Sequence, residues 1–165
     1  IYMQDLQKLS VLILAYNRFD KFVRCLENLY KNGIKKVYIS IDGPKNDFDV
    51  FNQRKITSFC KNNNFNLDIQ VNHLNSNLGC RRGPINGITW FFMQNKYGVV
   101  LEDDVLITRK CFEVFLSLLE LNKSNKEFMS ISSFNEFSNK NFESIYSIPV
   151  WRSWGWASWA DRWQF

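Results

Sequence analysis

Three consecutive carboxylates, Glu102, Asp103 and Asp104, close the apolar run Gly98-Val99-Val100-Leu101, and Val105 turns apolar again. Carboxylates held this close repel one another, and burying them unpaired is costly. A chain that sets them at the tip of a buried strand has use for a cation there, and an all-oxygen ligand set suits a hard divalent ion. The competing reading is a solvated acidic turn. Further polar clusters carry chemistry of their own. Asn17-Arg18 follows the apolar run 11–16, and a guanidinium grips an oxyanion with two parallel charge-assisted bonds. Asp42-Gly43-Pro44 follows the strand-like stretch 37–41. Arg81 and Arg82 sit in the polar stretch 75–84. Each has a plainer role open to it: Arg18 as an exposed helix-start residue, Asp42 as a turn aspartate, Arg81 and Arg82 as a solvated loop. His73, the only histidine, ends a strand-like run and reads as structural.

The elements that would deliver these residues follow from hydrophobic periodicity. Residues 11–16 are continuously apolar over strand length, as in a strand covered on both faces. Phe22, Val23, Leu26, Leu29 and Tyr30 recur at helical spacing, closed by Asn32-Gly33. Residues 37–41 form a second strand, stopped by Asp42-Gly43-Pro44. A helix fits 50–61 with Phe51, Ile56, Phe59 and Cys60 inward, and 67–71 alternate like a shorter strand. Pro84 suits a first helical turn, and that helix carries Ile85, Ile88, Phe91 and Phe92 on one face towards Asn95. Residues 99–101 make the fourth strand. A helix over 109–121 bears Phe112, Phe115, Leu116 and Leu119, and 128–132 read as another strand.

This alternation predicts an α/β fold with a mostly parallel sheet flanked by helices and right-handed crossovers. Ligands of such open sheets bind beyond the carboxyl ends of the strands. Asn17-Arg18, Asp42-Gly43, the 77–83 loop and Glu102-Asp103-Asp104 all fall on that edge. Their convergence shifts the balance from acidic turn to site.

Composition narrows the class. With 165 residues, 45% of them hydrophobic, the chain can bury one substantial core, and it reads as a single domain. Twenty-one basic against 16 acidic residues give a net charge of +5, which suits anionic small molecules or an anionic membrane surface. No arginine-rich run or zinc-finger spacing occurs, so no nucleic-acid partner is expected. Cys25, Cys60, Cys80 and Cys111 are scattered without a CxxC pair, which excludes a zinc ribbon or thioredoxin-type centre and fits reduced thiols of a cytoplasmic protein. Cys25 and Cys111 fall on apolar helix faces. No signal peptide and no apolar run of spanning length is present. The start at Ile1 and the end at Phe165 within an aromatic stretch suggest a piece of a longer protein. Abundant Asn, Lys, Ile and Phe hint at a bacterial source.

After Phe134 the pattern changes. Residues 135–144 read as a loop or hairpin tip, and five of the six tryptophans then fall between Trp151 and Trp163. At helical spacing Trp156, Trp159 and Trp163 would share one face. That face is either a core anchor or, with Trp154 and Trp156, a platform for an acceptor sugar.

With these clusters placed, the sequence resembles nucleotide-sugar glycosyltransferases of the GT-A (Rossmann-like) fold. Within that group it is most similar to the N-acetylglucosaminyltransferase I-like enzymes and bacterial family 2-like relatives. The carrying residues are Ala15-Tyr16-Asn17-Arg18, Val23-Arg24-Cys25-Leu26, Ser40-Ile41-Asp42-Gly43, Glu102-Asp103-Asp104 and Gly155-Trp156. The resemblance implies that Asp104 binds a divalent metal, Mn²⁺ or Mg²⁺, bridging the donor diphosphate. Asp103 would contact ribose or sugar, Glu102 the donor sugar and Arg18 the diphosphate, with Arg81 or Arg82 adding positive charge. Asp42 would accept a hydrogen bond from the uracil ring, and Tyr16 would lie beside the base. Arg81 stands where eukaryotic relatives place a histidine near the base.

On this reading residues 1–134 form the donor-binding domain. Residues 135–165 begin the Trp-rich acceptor side of the same domain, incomplete at its C-terminus. The implied reaction moves a sugar from a UDP-sugar to a glycan or lipid-linked acceptor, with inversion, in bacterial surface polysaccharide synthesis. The implied setting is the cytoplasm, extending to peripheral membrane association at the inner face of the cell membrane. The catalytic base is unassigned: Asp161 follows Gly155-Trp156 too closely for a comfortable match, and the base would otherwise lie beyond Phe165. The resemblance leaves the particular sugar, acceptor and oligomeric state open. Two other readings are a non-catalytic glycan-binding domain and a sugar nucleotidyltransferase. The latter is disfavoured because Tyr16-Asn17-Arg18-Phe19-Asp20 lacks the glycine-rich loop that cradles a triphosphate.

Overall fold

The computed structural model describes residues 5–62, 65–134, 145 and 147–164. After a 3₁₀ turn at Leu6–Lys8, β1 (Ser10–Ala15) leads to α1 (Phe19–Lys31), β2 (Lys36–Ile41) to α2 (Asp47–Lys61), and β3 (Asp68–His73) to α3 (Gly79–Phe92). β4 (Tyr97–Glu102) leads to α4 (Arg109–Leu121), followed by β5 (Ile131–Ser132), β6 (Trp156–Trp159) and α5 (Ala160–Trp163). These strands form one sheet in the order β3-β2-β1-β4-β6-β5. β1 pairs in parallel with β2 and β4, and β2 in parallel with β3. β6 runs antiparallel to both β4 and β5. The sheet is therefore mostly parallel and flanked by helices, the expected α/β class.

The two-residue period of the strands sorts the core into layers. Val11, Ile13, Val37, Ile39, Val99 and Leu101 face α1 and α4, meeting Phe22, Leu26, Leu29, Phe112, Phe115 and Leu119. Leu12, Tyr38 and Val100 face the other way, against Ile88, Phe91 and Phe92 of α3. Because β1 and β4 are covered on both faces, their sequences read as unbroken apolar runs.

Four expectations about elements change. The helical period puts Phe51 on the inner face of α2, but it is 62% exposed. The helix instead turns Asp49, Asn52 and Gln53 inward beside Ile56 and Cys60; Asp49 and Gln53 bond to segments at the strand ends, and Asn52 donates back to the Phe48 carbonyl of its own helix. α3 begins at Gly79, so Pro84 lies past the first turn and Ile85 is exposed. The strand expected over 128–132 is limited to Ile131–Ser132. Trp156 and Trp159 belong to a strand and not to a helix. They therefore face opposite layers, Trp159 with α4 and Trp156 with α3. The loop expected over 135–144 lies outside the described residues. Among the described residues no helix is long and apolar enough to cross a membrane.

Candidate functional site

The carboxyl ends of β1, β2 and β4 and the start of α3 enclose a cleft of about 630 Å³. Tyr16, Arg18, Asp42, Glu102 and Asp103 line it from the strand ends. Asn77, Gly79, Gly83 and Pro84 close one side, and Trp151, Ser153, Trp156 and Trp163 another. Four polar clusters far apart in sequence thus meet in one space, as the open-sheet rule requires.

At its acidic end, the Asp103 amide donates to the Leu14 carbonyl at 3.1 Å, carrying the β1–β4 pairing one residue beyond the strand. This pulls Asp103 inside, where it is 1% exposed. Its Oδ1 accepts a hydrogen bond from Arg18 Nη2, while its Oδ2 is buried without a hydrogen-bond partner among the described residues. Arg18 Nη1 also donates to Asp104 Oδ2 at 2.8 Å, and Lys21 Nζ reaches the same oxygen at 3.2 Å. Burial pushes the Asp103 carboxyl up, and the Arg18 guanidinium only partly offsets it. Glu102 is likewise raised, by burial and then by the Asp104 charge. Burial also acts on Asp104, but Lys21 and Arg18 outweigh it and hold that carboxyl below its usual value. The three neighbouring carboxylates are thus unequal: one buried, one half-buried in the cleft, one partly solvated and paired.

A second network, unread in the sequence, ties the β1–α1 turn to α2. Asp49 of α2 is buried and accepts from Tyr16 Oη at 2.5 Å, Asn17 Nδ2 at 2.7 Å and the Lys45 amide at 3.0 Å. It locks the β1–α1 turn to the β2–α2 loop. Partial burial, then the hydrogen bond to Asp49, pushes the Tyr16 phenol up to about 12. The same bond, with the Lys45 amide, holds Asp49 below its usual range. Tyr16 therefore presents its ring at the cleft as a fixed, neutral wall.

Asp42 lines the cleft as expected, and it also anchors α3. Its Oδ1 accepts from the Gly43 and Leu78 amides at 2.9 and 2.8 Å, and its Oδ2 from the Gly79 amide at 2.9 Å. The Leu78 and Gly79 amides open a helix, where N–H groups have no intrahelical partner and a carboxylate is favoured. With roughly four acceptor positions on a carboxylate, Asp42 keeps about one for a ligand. The close fit needs Gly83, where a Cβ would come within 2.9 Å of Asp42 Oδ2. His73 supports this corner. Its Nε2 lies 2.9 Å from Gln53 Oε1, and Gln53 Nε2 donates to the Asp42 carbonyl.

The remaining candidates are placed as follows. Arg81 and Arg82 are exposed on the first turn of α3 and do not line the cleft. Trp156 lines it and is buried, its ring edge-on to Trp151 at 5.5 Å and tilted on Trp163 at 6.2 Å. Trp154 is exposed, set against Phe134 outside the cleft lining. Asp161 pairs with Lys126 and Arg162 and is also outside the lining.

The donor set fits a hard cation in one specific way. Among the described residues no three His, Cys, Asp or Glu side chains converge into a cage. The orphaned Asp103 Oδ2 and the solvated Asp104 carboxylate offer oxygen ligands beside the cleft. One or two carboxylates suit an ion that keeps waters and takes its other ligands from substrate phosphates.

No protein-family model matches this sequence, and a search among curated proteins finds no match. Among solved structures, the chain is similar to the mannosyltransferase PcManGT from Pyrobaculum calidifontis in complex with GDP-Man and Mn²⁺. The identity is 12% and the TM-score 0.64, over 92% of this chain and 44% of that one. HddC from Yersinia pseudotuberculosis, with and without GMP-PN, gives 20% identity and a TM-score of 0.48 over 68% of this chain and 55% of that one. The chain thus has a glycosyltransferase-like α/β fold and spans less than half the length of the mannosyltransferase.

Proposed function

We propose that this chain is the donor-binding part of a metal-dependent glycosyltransferase that uses a nucleoside-diphosphate sugar. The observation that carries the reading is the convergence of Tyr16, Arg18, Asp42, Glu102 and Asp103 in one cleft at the strand ends.

The residues of the cleft suit the parts of such a donor. Tyr16, its hydroxyl bound to Asp49, would offer an aromatic wall to a base, and the remaining acceptor position of Asp42 suits a ring N–H, as in uracil. UDP is the nucleotide assigned by the resemblance, although the similar mannosyltransferase carries GDP-Man. Glu102 would accept hydrogen bonds from sugar hydroxyls, and Asp103 from ribose or sugar. Arg18 would grip the diphosphate and stabilise the charge that develops on it as the sugar leaves. When bound at Asp104, with Asp103 beside it, a Mn²⁺ or Mg²⁺ ion would supply further neutralisation of the leaving diphosphate. A glycan or lipid-linked acceptor, inversion and a role in bacterial surface polysaccharide belong to the same proposal. Acceptor activation is assigned to none of the described residues, since Asp161 is ion-paired outside the cleft lining.

The test is calorimetric titration of UDP and of GDP into the chain with Mn²⁺ or with EDTA. Tighter binding of one nucleotide with metal supports the reading, and equal weak heats under all conditions reject it. The Trp-rich wall formed by Trp151, Trp156 and Trp163 favours one second reading, a glycan-binding domain without transfer activity. Glycan binding that persists in EDTA and in Asp104→Asn would support that alternative.

A further inference from the structure

The outer face of α2 is the least expected surface of the molecule. Phe48 is 68% and Phe51 62% exposed, three positions apart on one stripe of the helix. Phe51 also walls a shallow groove with Phe19, Phe59, Arg54 and Lys55. The Lys55 ammonium stands 4.3 Å over the Phe19 ring and 5.7 Å from the Phe51 ring centroid. The exposed charges on this helix and its leading loop are Lys45, Arg54, Lys55 and Lys61 against Asp47 alone. The other α2 carboxylate, Asp49, is buried and engaged by Tyr16 and Asn17.

Two bare aromatic rings side by side lose free energy in water, and a monomer gains nothing from keeping them there. The buried side of α2 already meets the core through Ile56 and Cys60, so the rings are surplus to folding. Aromatic side chains flanked by lysine and arginine match the boundary between acyl chains and anionic headgroups. The rings enter the apolar layer there while long basic side chains reach the phosphates. A protein groove would satisfy the rings but leave the four cations needing a matching acidic surface.

We propose that the outer face of α2 docks on an anionic lipid bilayer, with Phe48 and Phe51 inserted and Arg54, Lys55 and Lys61 against the headgroups. Lys45, in the loop before this helix, lines the cleft, so docking would bring the cleft to the membrane surface. That placement suits an acceptor carried on a lipid. The docking claim stands apart from the donor-site reading, because it is tested with lipid alone.

The test is co-sedimentation of the full chain with vesicles of phosphatidylcholine, alone or mixed with phosphatidylglycerol. Binding is expected to the mixed vesicles only, weakening with salt as surface charge is screened. The double variant Phe48→Ser and Phe51→Ser, and separately Arg54→Glu with Lys55→Glu, should each lower the partition coefficient about tenfold or more. All four positions are exposed, so both variants should fold, the Lys55→Glu variant melting slightly lower through loss of its ring contact with Phe19, and nucleotide titrations should be unchanged. No binding to the mixed vesicles, or binding that both variants leave intact, overturns the proposal. Self-association of the parent in solution that the phenylalanine variant abolishes would give the face to a protein contact and overturn it equally.

Discussion

Arg18 and Asp103, 85 positions apart in the sequence, meet in an ion pair in which the carboxylate is buried and the guanidinium still reaches solvent. Through its other nitrogen Arg18 also holds Asp104, so one cation from the β1–α1 turn bridges two carboxylates at the end of β4. Lys21 adds a second cation at Asp104, so two cations face the three carboxylates before any ligand arrives. On the proposed reading, a phosphate-bearing ligand that brings its own cation would take over the carboxylates and leave Arg18 for the phosphates.

Replacing Arg18 by Gln should cost about 1–3 kcal/mol at neutral pH, because Asp103 is left buried without its counter-charge. The cost depends on pH. Burial holds the folded-state pKa of Asp103 above its unfolded value. Its share of stability is therefore fully present below the unfolded value and is lost as pH rises through the folded one. Without Arg18 the folded value rises further, so the difference from the parent should widen with pH. Urea midpoints measured between about pH 4 and pH 8 check this, and a pH-independent difference would contradict it.

The Tyr16–Asp49 bond predicts an alkaline signature. Tyr16 titrates at about 12 against an ordinary 10.0, so its contribution holds below pH 10 and is lost as pH rises through about 12. Absorbance titration of the phenolates should show Asp49→Asn moving one tyrosine back towards 10. Tyr97, raised to about 12 by burial and by Glu120, should stay put and serves as the internal reference. On the acid side Asp49 is depressed, so its contribution is present above its unfolded pKa and is lost as pH falls through the folded value. The Asn variant should lack that loss.

Asp42→Ala should lower stability by about 1–2 kcal/mol, the cost of removing a helix cap. Native-state hydrogen exchange should speed at Leu78 and Gly79, whose amides the carboxylate accepts. Unchanged exchange at both amides would mean that Asp42 serves ligand binding alone.

The two tryptophans assigned to a sugar platform should separate cleanly. Trp156→Ala should cost about 3–5 kcal/mol, as for a large core side chain. Trp154→Ala should change stability by under about 0.5 kcal/mol. Chemical denaturation of both variants decides it.

Much of this was legible because burial on both faces writes itself into sequence. β1 and β4 carry unbroken apolar runs, β2 is apolar apart from Lys36 and Ser40, and α4 matches the predicted 109–121 through Phe112, Phe115, Leu116 and Leu119. The strand-end rule then brings Arg18, Asp42 and Glu102-Asp103-Asp104 to one edge. What stayed hidden was long-range and polar. Asp49 sits 33 positions from Tyr16, and no local pattern marks a helix that turns carboxylate and amides inward while Phe51 faces out. The tryptophans were misread for a related reason. A four-residue strand buried on both faces has no alternation to betray it, so Trp156 and Trp159 fitted a helical period equally well.

The most direct test of the donor-site account is calorimetric titration of nucleoside diphosphate with Mn²⁺ into the chain and into Asp104→Ala. The exposed pairing of Asp104 with Lys21 and Arg18 contributes about 1 kcal/mol or less, so the variant should fold as the parent does. The account predicts metal-dependent nucleotide binding to the parent that weakens by about tenfold or more in the variant, equivalent to about 1.4 kcal/mol. Binding equally tight in EDTA, or undiminished by Asp104→Ala, would contradict it.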